Sequence, residues 1–144
     1  MTTATMHDGS ELELEIDGEG PFLLMPVSPI PVEGEAAEEM RMWGADPARG
    51  RSLIESLRDI VTVVAFDYEG HVLAAPKPDT LTPSNLSSDV LAVADAAEAD
   101  AFAYYGYSWL AVAGMQLAIR TQRLTALIMG GSHPWMGPMP RCWR

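Results

Sequence analysis

Residues 101–110 read Ala-Phe-Ala-Tyr-Tyr-Gly-Tyr-Ser-Trp-Leu and run without a break into Ala-Val-Ala-Gly-Met-Gln-Leu-Ala-Ile-Arg at 111–120. The apolar run Ala101–Tyr105 predicts a strand, and the Ala- and Leu-rich stretch Trp109–Arg120 predicts a helix. Ser108 therefore stands on a sharp turn between the two, with Gly106 supplying the room that the turn needs. A hydroxyl at such a junction is exposed above the sheet. The helix start points unpaired N–H groups and a partial positive charge toward it. That setting suits a serine nucleophile, and the N–H of Trp109 is placed to bind the oxyanion that develops on a substrate. The plainer reading is that Ser108 only caps the helix, since serine is a preferred N-cap residue.

Outward from this segment, strand and helix patterns alternate. Thr2–His7, Glu11–Ile16, Phe22–Val27, Val61–Phe66 and Leu124–Met129 read as strands. Glu11–Ile16 shows the period-two alternation of a half-buried strand, and Phe22–Val27 reads as buried on both faces. Asp8-Gly9 marks a hairpin turn. Prolines 21, 26, 29 and 31 frame the third strand, so irregular chain is expected after it. Ala36–Trp43 and Arg51–Leu57 predict short helices. Thr82-Pro83 is a helix start, a hydroxyl cap followed by proline at the first helical position, and Leu86, Val90, Val93, Ala94 and Ala97 follow at helical spacing. Asp67–Pro83, with three prolines, is expected to be a long polar loop. Strands alternating with helices imply a parallel sheet covered on both faces.

Composition narrows the function. The chain has 144 residues, 48% hydrophobic and 20% charged, which suits one domain with a buried core. Its net charge is −11. Residues 1–40 hold ten acids and no Lys or Arg, whereas residues 101–144 hold four arginines and no acid. This balance argues against nucleic acid and against anionic membrane surfaces as partners. A single cysteine, Cys142, excludes an intrachain disulfide and a cysteine-based zinc cage. Asp67, His71 and His133 lack metal-ligand spacing, so no metal is expected. Gly130-Gly131 has neither the glycine pattern nor the lysine of a nucleotide loop. Strand alternation places two of Tyr104, Tyr105 and Tyr107 in core layers rather than on a stacking platform. No leader is recognisable, and a cytoplasmic location is expected.

In order, the hairpin at Asp8-Gly9, Phe22–Val27, the Asp67-Tyr68-Glu69-Gly70-His71 loop, Gly106-Tyr107-Ser108 and Arg123–Gly131 resemble successive parts of an α/β-hydrolase. The resemblance covers nearly all of residues 1–133. It implies a three-layer α/β fold with a mostly parallel sheet, helices on both faces and the C-terminal strands missing. Residues 1–135 are expected to form this partial domain and 136–144 an irregular tail, as from a frameshift or early stop. The resemblance implies Ser108 as nucleophile and an oxyanion hole made by the N–H of Trp109 and one from the loop after the third strand. Proline has no N–H, so Ser28 is the candidate there, with Val27 and Ile30 behind it. Tyr107 and Trp135 are candidate pocket residues for a small apolar acyl group. No cofactor is implied.

The expected activity is hydrolysis of an ester, thioester or amide through an acyl-enzyme on Ser108. Serine argues against the family's dehalogenases and epoxide hydrolases, whose nucleophile is Asp. Three departures bear on turnover. Pro26-Val27 stands where the family has His-Gly. Leu110 replaces the last glycine of G-x-S-x-G and is expected to crowd the turn. No Asp or Glu follows Asp100, and His133 is the one later histidine, so the triad acid and base are not found. The alternative is a non-catalytic fragment or binding module of the same fold. Without further strands, Leu124–Met129 is expected to be an open sheet edge through which two copies pair.

Overall fold

The computed structural model describes residues 1–131. Six strands form one sheet: β1 (Thr2–Thr5), β2 (Glu11–Asp17), β3 (Phe22–Met25), β4 (Thr62–Ala65), β5 (Phe102–Tyr107) and β6 (Leu124–Gly130). Their order across the sheet is β1-β2-β4-β3-β5-β6. β1 and β2 make an antiparallel hairpin, and β2 joins β4 antiparallel, with Ile16 opposite Val64. β4, β3, β5 and β6 are mutually parallel. Five helices connect them: α1 (Gly34–Met42), α2 (Arg49–Leu57), α3 (Tyr68–Ala74), α4 (Pro83–Ala96) and α5 (Trp109–Arg120).

Side-chain alternation sorts the parallel strands between two cores. Leu24, Val64, Phe66, Phe102 and Tyr104 face α4 and α5, packing with Leu86, Val90, Val93, Ala113 and Leu117. Leu23, Met25, Val63 and Ala65 face the other way, against Ile54, Leu53 and Leu57 of α2. The result is a three-layer α/β fold, which the strand–helix alternation anticipates. Tyr104 lies in the first core, Tyr105 packs on the second, and Tyr107 escapes both.

Local signals explain most boundaries. Thr82 caps α4 by accepting from the Asn85 N–H, with Pro83 at its first position. β3 stops at Met25 rather than Val27, because Pro26 has no N–H to give a ladder and the Val27 N–H turns back to the Met25 carbonyl. One expectation is overturned. Asp67–Pro83 is not loop throughout: α3 occupies Tyr68–Ala74. Asp67 caps it by accepting from the Gly70 N–H at 2.9 Å, and Tyr68 and Val72, one turn apart, anchor it to the core.

Polar contacts tie α3 and α4 to the turn after β1 on the first-core face. Asp89 of α4, 1% exposed, accepts from the His7 backbone N–H (2.6 Å), His7 Nδ1 (2.8 Å) and Tyr68 Oη (2.7 Å). At the far side, Arg123 donates to the carbonyls of Asp100 and Ala99 and pairs with Asp95. The outer side of β6 has no strand partner among the described residues. No helix among them is long and apolar enough to cross a membrane. Trp135, His133 and the tail 136–144 lie outside the described residues.

Candidate active site

β3, β4 and β5 run parallel, so their C-terminal ends meet at one rim of the sheet. Ligands bind such rims because loops there diverge and leave a crevice. A cleft of about 740 Å³ opens at this rim. It is lined by the loop after β3 (Pro26, Val27, Ser28), the start of α2 (Arg49, Gly50), the cap and first turn of α3 (Asp67, Glu69) and the β5–α5 junction (Tyr107, Ser108, Trp109).

Ser108 is the junction. Its backbone has φ 57° and ψ −125°, one of two non-glycine residues with positive φ among those described. A side chain in that region is strained by about 1–3 kcal/mol. The turn is held by the Ser108 N–H donating to the Gly130 carbonyl at 2.9 Å, and by the Ala111 N–H closing onto the Ser108 carbonyl. The side chain is exposed and makes no capping hydrogen bond to α5. The simple capping role therefore does not describe it: the hydroxyl makes no hydrogen bond among the described residues.

Gly106 makes the turn sterically feasible. A Cβ there would collide with the Leu110 carbonyl. That same carbonyl accepts from Tyr104 Oη at 2.9 Å, which pins the first turn of α5 onto β5. Leu110 does not crowd the turn as expected. Its side chain points into the core, 6% exposed, where a helix residue two past the bend has space.

The Trp109 N–H and the Ser28 N–H have no acceptor among the described residues. Both residues line the cleft with Ser108, as does Tyr107, 44% exposed. The Ile30 N–H, by contrast, is taken by Ser28 Oγ (3.3 Å), and the Val27 N–H by Met25. The Trp109 indole is fixed from the side: its Nε1 donates to Glu69 at 2.9 Å and its ring lies 6.3 Å from that of Tyr68. Burial, and then the bond to Asp89, push the Tyr68 hydroxyl well above its ordinary range.

No histidine lines this cleft among the described residues. His7 is bound to Asp89 and to Thr80 Oγ1 (3.1 Å), and His71 to Ser10 Oγ (2.8 Å). Asp67 is engaged in capping α3. Three cleft residues escape sequence reading. Glu69 holds the indole, Trp43 stands open at the rim, and Arg49 lies over Tyr107. None has a local pattern that announces a cleft role; only the sheet order brings them to Ser108.

A mixed sheet in the order 1-2-4-3-5-6 with helices on both faces is the fold seen in solved α/β hydrolases. No family model matches the chain, and no curated protein matches it. Solved structures do. A hydrolase from Pseudomonas aeruginosa PA01 is 25% identical, with a TM-score of 0.68 over 95% of this chain and 48% of that one. An epoxide hydrolase from Vigna radiata is 21% identical (TM-score 0.64; 96% of this chain, 41% of that one). An enol-lactonase from Burkholderia xenovorans LB400 is 26% identical (TM-score 0.59; 85% and 43%). The chain thus spans about half the length of the structures it matches.

Proposed function

We propose that this chain carries the nucleophile and the oxyanion donors of a serine hydrolase that cleaves an ester, thioester or amide through an acyl-enzyme. The carrying observation is Ser108: strained, exposed, its hydroxyl unbonded among the described residues, in a cleft shared with Trp109 and Ser28, whose N–H groups lack acceptors among those residues. In this reading Ser108 Oγ attacks the carbonyl carbon and forms the new C–O bond. The carbonyl π pair moves onto oxygen, where the N–H groups of Trp109 and Ser28 steady it. Collapse of this intermediate expels the alcohol, thiol or amine, and water later releases the acid. No histidine among residues 1–131 lines the cleft, so in this reading the serine proton passes to solvent water and the departing group takes its proton from solvent. The matched structures include an epoxide hydrolase, but a serine at the elbow favours acyl chemistry here.

A second reading, a non-catalytic binding module, is favoured by a cleft that no histidine lines among the described residues. A fluorophosphonate probe and a chromogenic short ester separate the two. Covalent labelling at Ser108 with measurable ester turnover, both lost in Ser108→Ala, supports the hydrolase. Turnover is expected several orders of magnitude below that of a complete triad. A folded protein that neither labels nor turns over supports the binding module.

A further inference from the structure

We propose that Arg49 makes this cleft select an ester that carries a carboxylate; this rests on the reading of Ser108 as nucleophile. Arg49 opens α2 and lies in the cleft wall with its guanidinium carbon 4.6 Å from the centroid of the Tyr107 ring. Tyr107 directly precedes Ser108, so the cation sits within a small molecule's length of the hydroxyl.

The other described cations are committed. Arg41 pairs with Glu38, Arg51 with Glu15, Arg58 with Asp17, Lys77 with Asp8 and Arg123 with Asp95, while Arg120 donates to Gln116. The Arg49 guanidinium alone has neither an ion pair nor a hydrogen-bond acceptor among the described residues; only its backbone N–H is taken, by the Asp46 carbonyl. In a chain of net charge −11 this is a selective omission.

The cleft's own carboxylates are occupied elsewhere. Asp46 accepts from the Ala48 N–H (2.8 Å) and Ser52 Oγ (2.9 Å), and these bonds, with smaller contributions from the charges of Arg41 and Arg49, hold it below the usual carboxylate range. Asp67 accepts from Gly70, and Glu69 from the Trp109 indole. An aromatic face steadies a guanidinium while leaving its in-plane N–H groups open, and that fork matches a carboxylate bidentately. The three acids make the cleft as a whole unattractive to anions, and screening confines attraction to about 8 Å in physiological salt. Recognition is therefore a direct contact, made only by a substrate that also fills the cleft.

The test compares 4-nitrophenyl hydrogen succinate with 4-nitrophenyl butyrate, in the full chain and in Arg49→Gln and Arg49→Lys. The ratio of kcat/KM for the charged over the neutral ester is expected to fall roughly tenfold or more in Arg49→Gln, and by less in Arg49→Lys. A ratio unchanged in Arg49→Gln overturns the proposal. Binding of monomethyl succinate against methyl butyrate, measured by titration calorimetry, tests Arg49 without turnover. Preference for the charged ester that disappears in Arg49→Gln supports the role of Arg49 even if Ser108 never labels. Equal binding overturns it even if Ser108 does label.

Discussion

At Ser108 conformation and chemistry are opposed. The residue occupies φ 57°, ψ −125°, where glycine rests without strain. Ser108→Gly is expected to raise stability by about 1 kcal/mol in a denaturant titration while abolishing probe labelling. A loss of stability would mean that the serine side chain supports the turn. Gly106 obeys the opposite logic. Gly106→Ala places a methyl against the Leu110 carbonyl, so a loss of about 3 kcal/mol is expected, with labelling reduced alongside. Sequence reading located both residues because a strand pattern ending in glycine and serine and turning straight into a helix is a local signal. It misjudged Leu110, since whether that side chain meets β5 or the core depends on the direction of α5, which no local pattern specifies. Arg49 was invisible for a similar reason: an arginine opening a short amphipathic helix reads as solvent-facing until the sheet order brings Tyr107 beneath it.

At the scale of elements, the Asp89 cluster joins β1, α3 and α4. A buried carboxylate holding three donors leaves them all unmatched when it is removed, and breaking a buried pair costs about 3–5 kcal/mol. Asp89→Ala is therefore expected to lower the unfolding free energy by about that amount, measured by chemical denaturation. Asp89→Asn, which keeps an acceptor, should cost less. A change under about 1 kcal/mol would show that water replaces the carboxylate without loss. Elements whose ends carry their own chemistry were legible from sequence. Thr82-Pro83 opens α4, and Trp109–Arg120 matches α5 in full. α3 is not legible in the sequence, because three prolines near it outweigh the Asp67 cap. The Asp89 cluster joins residues 82 positions apart and leaves no trace in any window of sequence.

At the scale of the whole molecule, two buried tyrosines set the alkaline limit. Burial raises the hydroxyls of Tyr68 and Tyr104 above their ordinary 10.0. In the unfolded chain both lose a proton near pH 10, whereas the folded chain keeps them protonated. The unfolded state then binds fewer protons, and stability falls as pH rises. The expected slope above pH 10 is about 1.4 kcal/mol per unit for each tyrosine, halved in Tyr68→Phe, as read from denaturation midpoints against pH. A second expectation concerns the open side of β6. Ile128 there is 48% exposed, and Met115 and Ile119 on the neighbouring α5 are 43% and 76% exposed. An edge of this kind recruits another strand, so concentration-dependent dimerisation is expected in sedimentation, weakened by Ile128→Lys. A monomer at every concentration would remove the dimer from consideration.

The sheet order also dictates the sequence of events in folding. β3 pairs with β5 through Phe22 and Phe102, eighty residues apart, and β4 lies on the other flank of β3. Chain closure over that span is slow compared with helix formation. The bend at Ser108 hangs from the end of β5 and is fastened by a bond to Gly130 on β6, so it can only be assembled after both pairings. Helical signal should therefore recover early on dilution from denaturant, and the turn at Ser108 last of all.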